Sequence, residues 1–129
     1  MKLGAAIFVI SLVTFNCVGQ AADIGVNEIC RAAIGVLMQH DPSTIKTDKF
    51  DQGISYLSYV RPDDGTLWTY RCKVLGNQVN WASDVGRWRT DMLDEQLTYE
   101  LDQDRQNLKI KLTFTDGSSV GNSYPSSIF

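Results

Sequence analysis

One stretch constrains this chain more than any other: Ile54–Val74, with the sequence ISYLSYVRPDDGTLWTYRCKV. Its flanks are rich in aromatic and β-branched residues, which suit a pleated, half-buried surface. Between them lies Arg61-Pro62-Asp63-Asp64-Gly65-Thr66. Pro62 presets φ for the first turn position and the aspartates can bond to local backbone. Gly65 can take the left-handed φ that closes a four-residue loop. The stretch therefore predicts a long β-hairpin, with Arg61 opposite Thr66, Tyr59 opposite Trp68 and Leu57 opposite Tyr70. Alternation puts Leu57, Tyr59, Trp68, Tyr70 and Cys72 on one face, and Ile54, Tyr56, Ser58, Thr69, Arg71 and Lys73 on the other. The first face is continuous and carries a cysteine, so it is expected to meet the core.

Residues 1–22 read as a signal peptide. Lys2 supplies a minimal positive n-region, Ala5 to Val18 is apolar, and small residues precede a cleavage site after Ala21 or Ala22. A rival reading makes Cys17 a lipidated residue, but Asn16 is a poor fit before it. The apolar run is short for a membrane span, so no stable span is expected once the leader is removed. Residues 23–129 then form one small domain, large enough for one core.

Export changes what the cysteines mean. Cys30 and Cys72 remain in an oxidising compartment, where a disulfide is the default and two independent buried thiols are the rival. A bridge closing a loop of about 43 residues contributes roughly 4 kcal/mol on the chain-entropy model. Asn27–His40 reads as a helix with Asn27 as N-cap and Glu28 in the first turn. Val26, Cys30, Ala33, Ile34 and Leu37 form its apolar stripe, with Arg31, Gly35 and Gln39 on the other side, and Pro42 stops it. Cys30 lies inside that stripe, so a Cys30–Cys72 bridge would staple helix to sheet.

Further on, Gln78–Ser83 reads as a strand. Leu97–Leu101 and Leu108–Phe114 read as a second hairpin, with Leu101 opposite Leu108, Tyr99 opposite Ile110 and a Glu100–Lys109 ion pair on the wet face. Edge strands are possible around Thr44–Phe50 and Val120–Tyr124. The expected fold is α+β: an N-terminal helix on a curved antiparallel meander of about five or six strands, held by a helix-to-sheet disulfide. The alternative is a small closed barrel with the helix plugging one end.

Several chemistries lack their residues. Without Lys2, eleven basic residues face fifteen acidic ones, so nucleic-acid binding through clustered cations is disfavoured. His40 is the single histidine and sits at the predicted helix end, where capping explains it. No metal site or cofactor is expected: there is no CxxC or Cys/His cluster, and Asp102-Gln103-Asp104 opens like a calcium loop but lacks its glycine. There is no P-loop, dinucleotide fingerprint or nucleophile elbow. A hydrolase using Asp91, Asp94 or Glu95 would need two carboxyls about 5–10 Å apart in a cleft.

An aromatic and arginine group remains: Tyr56, Arg71, Arg87, Trp88 and Arg89. These residue types are enriched at binding hot spots. In Gly86–Thr90, GRWRT, a short strand or exposed loop, alternation sets Arg87 and Arg89 on one side and Trp88 on the other. One reading takes Trp88 into the core, with the arginines meeting an acidic partner or the acidic 91–95 segment.

The stretches CRAAIGVLM, RPDDGTLWTYRCKV and NWASDVGRWRT resemble a group of small secreted hypothetical proteins of Gram-negative bacteria. The resemblance spans most of residues 28–117 and implies a periplasmic or secreted location, with no particular activity. The expected function is therefore an exported, non-enzymatic interaction or inhibitor-type module with a protein partner in the cell envelope. The alternative is a small-molecule carrier with an apolar, aromatic pocket between helix and sheet, lined by Tyr56 or by the Leu57, Tyr59, Trp68 and Tyr70 face.

Overall fold

The computed structural model describes residues 23–129, together with Gly4. Apart from Gly4, the proposed signal peptide, with Cys17, lies outside the described residues. The chain runs through helix α1 (Val26–Met38), a 3-10 turn (Pro42–Thr44), and strands β1 (Lys46–Asp51), β2 (Ile54–Val60), β3 (Leu67–Leu75) and β4 (Gln78–Ser83). β5 (Gln96–Leu101), β6 (Asn107–Thr113) and β7 (Ser119–Pro125) follow, then a 3-10 turn (Ser126–Ile128). The sheet is antiparallel throughout in the order β1-β2-β3-β4-β5-β6-β7. It has seven strands rather than five or six, because both possible edge segments pair with the sheet, β1 with a bulge at Asp48. The two edges, β1 and β7, do not meet, so the sheet is open rather than a barrel.

Both expected hairpins form in the expected registers. Leu57 faces Tyr70 and Tyr59 faces Trp68; Tyr99 faces Ile110 and Leu101 faces Leu108. At the first turn, Gly65 adopts φ +70° and Asp64 accepts from Arg61 Nε (2.9 Å) and the Thr66 amide (3.0 Å). The Arg61 hydrogen bonds hold the Asp64 carboxyl well below the usual carboxylate range. Glu100 stands opposite Lys109, but the pair does not close into one of the ion pairs among the described residues.

The core lies between α1 and one sheet face. Ile29, Cys30, Ala33 and Ile34 of the helix meet Leu57, Tyr70 and Cys72 of the first hairpin and Leu108, Ile110 and Leu112 of the second. The Cys30–Cys72 disulfide, with Cα atoms 5.8 Å apart, ties the helix to β3. Not every inner-face residue is covered. Trp68 keeps its predicted side but is 46% exposed, and Phe114 is 36% exposed. Each sits at a strand end, at the limit of what a thirteen-residue helix can cover.

The helix departs from expectation at both ends. It begins one residue earlier, with Gly25 as N-cap: Glu28 Oε2 accepts from the Gly25 amide (3.0 Å), which satisfies a donor of the first turn. Asn27 instead accepts a hydrogen bond from the hydroxyl of fully buried Ser55 (2.9 Å). At the other end Gln39 turns left-handed and the chain folds back over the helix. Arg31 donates to the carbonyls of Ile45 (2.7 Å) and Pro42 (3.1 Å). Gly35, assigned above to the open side, is buried beneath this return; a Cβ there would lie 3.1 Å from Pro42 Cγ.

Candidate functional site

The segment between β4 and β5, Asp84–Glu95, has no strand of its own. β4 pairs with β5 only through Gln78 and Val79. Beyond that point the loop takes the place beside β4, and the Arg89 amide donates to the Trp81 carbonyl (2.8 Å). Gly86–Thr90 is thus a loop lying along β4.

The alternation read in GRWRT survives. Trp88 points to the outer face of the sheet, where the Lys73 ammonium sits 4.2 Å and the Arg71 guanidinium 5.1 Å from its ring centre. It is half-buried there, which corrects the reading of Trp88 as a core residue: β3 directs cations, not apolar side chains, at this position. Arg71 also holds the start of the loop, donating to the carbonyls of Ser83 (3.1 Å) and Gly86. Tyr56, its register partner on β2, carries Lys49 4.4 Å above its ring.

Arg87 and Arg89 turn to the other side and meet Asp94. Arg87 grips the carboxylate with both guanidinium nitrogens, at 2.7 and 2.8 Å. Arg89 reaches it at 3.4 Å while lying 5.5 Å from the Trp81 ring, and the Asp91 amide donates a further bond (3.0 Å). Asp94 is buried, and its carboxyl is held down to about 2, first by the Arg87 hydrogen bonds and then by the Asp91 amide and the two positive charges, against the opposing effect of burial. It is ionised at neutral pH, with both oxygens committed to the loop. The arginines therefore meet the acidic 91–95 segment, one of the two possibilities the sequence allowed.

What the loop exposes was not found by sequence reasoning. Val85, Met92 and Leu93 are 95%, 85% and 80% exposed. In 91–95 the acids dominate the sequence pattern; the signal for this feature is an apolar Met-Leu pair inside a run that forms no strand. Single exposed apolar residues are ordinary, but here three belong to one pinned loop, two of them adjacent in sequence.

Two open spaces bear on these readings. One, of about 130 Å³, lies beside the loop and is lined in part by Arg89, Asp91 and Glu95. The other is a groove of about 960 Å³ between the C-terminal end of α1 and β6–β7. Neither is lined by Tyr56, Leu57, Tyr59, Trp68 or Tyr70, the residues expected to form a carrier pocket. Leu57, Tyr59 and Tyr70 are packed in the core instead. His40 does close the helix end, its amide donating to the Gly35 carbonyl (2.9 Å), and its ring stacks on Tyr59 with centroids 3.8 Å apart. Among the described residues, no three His, Cys, Asp or Glu side chains are grouped to hold a metal ion, and no helix is long and apolar enough to cross a membrane.

The chain matches no protein-family model, no curated protein and no solved structure.

Proposed function

We propose that this protein is an exported, non-enzymatic interaction module of inhibitor type, and that Asp84–Glu95 is its binding element. The observation that carries this reading is the pairing of a tightly held loop with apolar side chains turned outward. Arg87, Arg89 and the Asp91 amide converge on Asp94, and Trp88 is seated on β3. Val85, Met92 and Leu93 project from the frame so made.

Two physical points support it. Ordering a loop at the moment of binding costs about 0.5–1.5 kcal/mol for each immobilised flexible side chain, and a preformed loop avoids much of that. Loops of about twelve or more residues without secondary structure are uncommon in compact domains and are often functional. On this reading Arg87, Arg89 and Trp88 shape the loop, while Tyr56, Arg71 and Lys73 border it on the outer face. Asp84, Asp91 and Glu95 flank the apolar tips, so the complementary partner presents an apolar cleft with a basic rim.

The test is capture from a cell-envelope extract with residues 23–129, using wild type, the double variant Met92→Asp/Leu93→Asp, and Phe50→Asp as an exposed control on β1. The reading expects one partner recovered by wild type and Phe50→Asp and lost with the double variant, at unchanged thermal stability. Equal recovery by all three would overturn it.

A further inference from the structure

The groove at the end of α1 shares no lining residue with the Asp84–Glu95 loop. It exists because the helix is shorter than the sheet beneath it. By register, Val120, Asn122 and Tyr124 of β7 lie opposite Leu112, Ile110 and Leu108, so they face the helix side. Leu108 and Ile110 are sealed beneath α1, but at the β7 edge Val120 is 50% exposed. The resulting slot has Val36 and Pro42 on one wall and Leu112, Phe114, Val120 and Ile128 on the other. Its volume falls at the upper end of the roughly 300–1,000 Å³ common for small-molecule sites.

The walls are preformed. His40 is fixed by stacking on Tyr59, Tyr124 packs edge-on against Phe129, and the Tyr124 hydroxyl accepts from Asn122 Nδ2 (3.2 Å). The Asp41 carboxylate is held by the Ser43 amide (2.9 Å).

The charge at the mouth is one-sided. Among the described residues, Asp41 is the only carboxylate lining the groove, and no lysine or arginine lines it. The last turn of α1 carries no basic residue, and the guanidinium of Arg31, nearer the start of the helix, is engaged by the Pro42 and Ile45 carbonyls. Apolar walls with a negative rim select a molecule with an apolar body and a positive head.

We propose that the groove between the end of α1 and β6–β7 binds a small amphipathic cation, with its apolar body against Leu112, Phe114 and Val120 and its ammonium beside Asp41. This site is independent of the loop reading, and either can fail alone.

The experiment titrates residues 23–129 with decyltrimethylammonium below its micelle concentration, beside decanol and decyl sulfate of equal chain length. Binding is read by calorimetry and by backbone amide shifts. The expected result is saturable one-to-one binding of the cation, at least tenfold tighter than either comparison ligand, with shifts confined to residues 35–43 and 112–128. Asp41→Asn, which keeps an acceptor for Ser43, is expected to weaken the cation at least threefold and leave decanol unchanged. Val120→Trp, at a half-exposed edge position, is expected to fill the slot and abolish binding. Equal or tighter binding of decanol or decyl sulfate, no saturable binding, or shifts centred on residues 84–95 would overturn the proposal.

Discussion

Asp94 and Arg87 are joined through two parallel hydrogen bonds, at 2.7 and 2.8 Å, with the carboxylate buried and the guanidinium stem largely in solvent. The pair closes the β4–β5 loop on itself. Paired, two-pronged contacts of this kind fix geometry as well as adding energy. Asp94→Ala is therefore expected to release the loop while the sheet stays formed. Hydrogen exchange should speed up tenfold or more at the amides of residues 89 and 94, and remain unchanged at Cys72 and Ile110. Uniform acceleration across the sheet would mean that the ion pair supports the whole fold rather than the loop.

The same pair sets a pH window. An unfolded aspartate titrates near about 3.9, and Asp94 in the folded protein titrates at about 2, held there first by the Arg87 hydrogen bonds. Because the folded value is depressed, the contribution to loop order is fully present above about pH 4 and is lost as pH falls through about 2. Loop amide exchange, corrected for the intrinsic rate, should rise over that acid interval and stay flat from pH 5 to 8. In Asp94→Asn the acid rise should be absent.

The Cys30–Cys72 bridge should dominate global stability. It spans 42 positions of sequence and joins the helix to the third strand. On the chain-entropy model a loop of that size is worth roughly 4 kcal/mol, a large share of the net stability of a small domain. Replacing both cysteines with serine should lower the unfolding free energy measured in urea by about that amount, with a matching fall in the midpoint. Peptide mapping of the unreduced protein should show the two cysteines linked; free thiols at both positions would contradict the structure.

Trp88 offers a more local test. It meets both Lys73 and Arg71 through the face of its ring, and such contacts are worth about 0.5–1 kcal/mol each at accessible sites. Trp88→Ala should cost about 1–2 kcal/mol in denaturant unfolding. Val85→Ala, at a fully solvated side chain, should stay within about 0.5 kcal/mol. Equal effects at the two positions would show that the cations do not hold the tryptophan.

Much of this architecture was legible in the chain. The Pro62–Gly65 turn and the alternation around it specify the register of Leu57 with Tyr70, because slipping by one residue would turn every apolar side chain to water. The same logic gives Tyr99 with Ile110, and helical spacing places Cys30 where it can meet Cys72. These features depend on neighbours close in sequence or on a period, and a linear sequence carries both.

The candidate site did not share that transparency. Whether Trp88 goes to the core or to the outer face depends on where Arg71 and Lys73 stand, on a strand placed beside it only by the sheet. Whether Arg87 is free for a partner depends on Asp94 folding back to it. The exposure of Met92 and Leu93, and the groove left beside Val120, follow from how far α1 and β5 extend over or along their neighbours. Local pattern determined which face each residue takes; only the packed arrangement decided what covers that face, because coverage is set by contacts between segments that sequence order does not bring together.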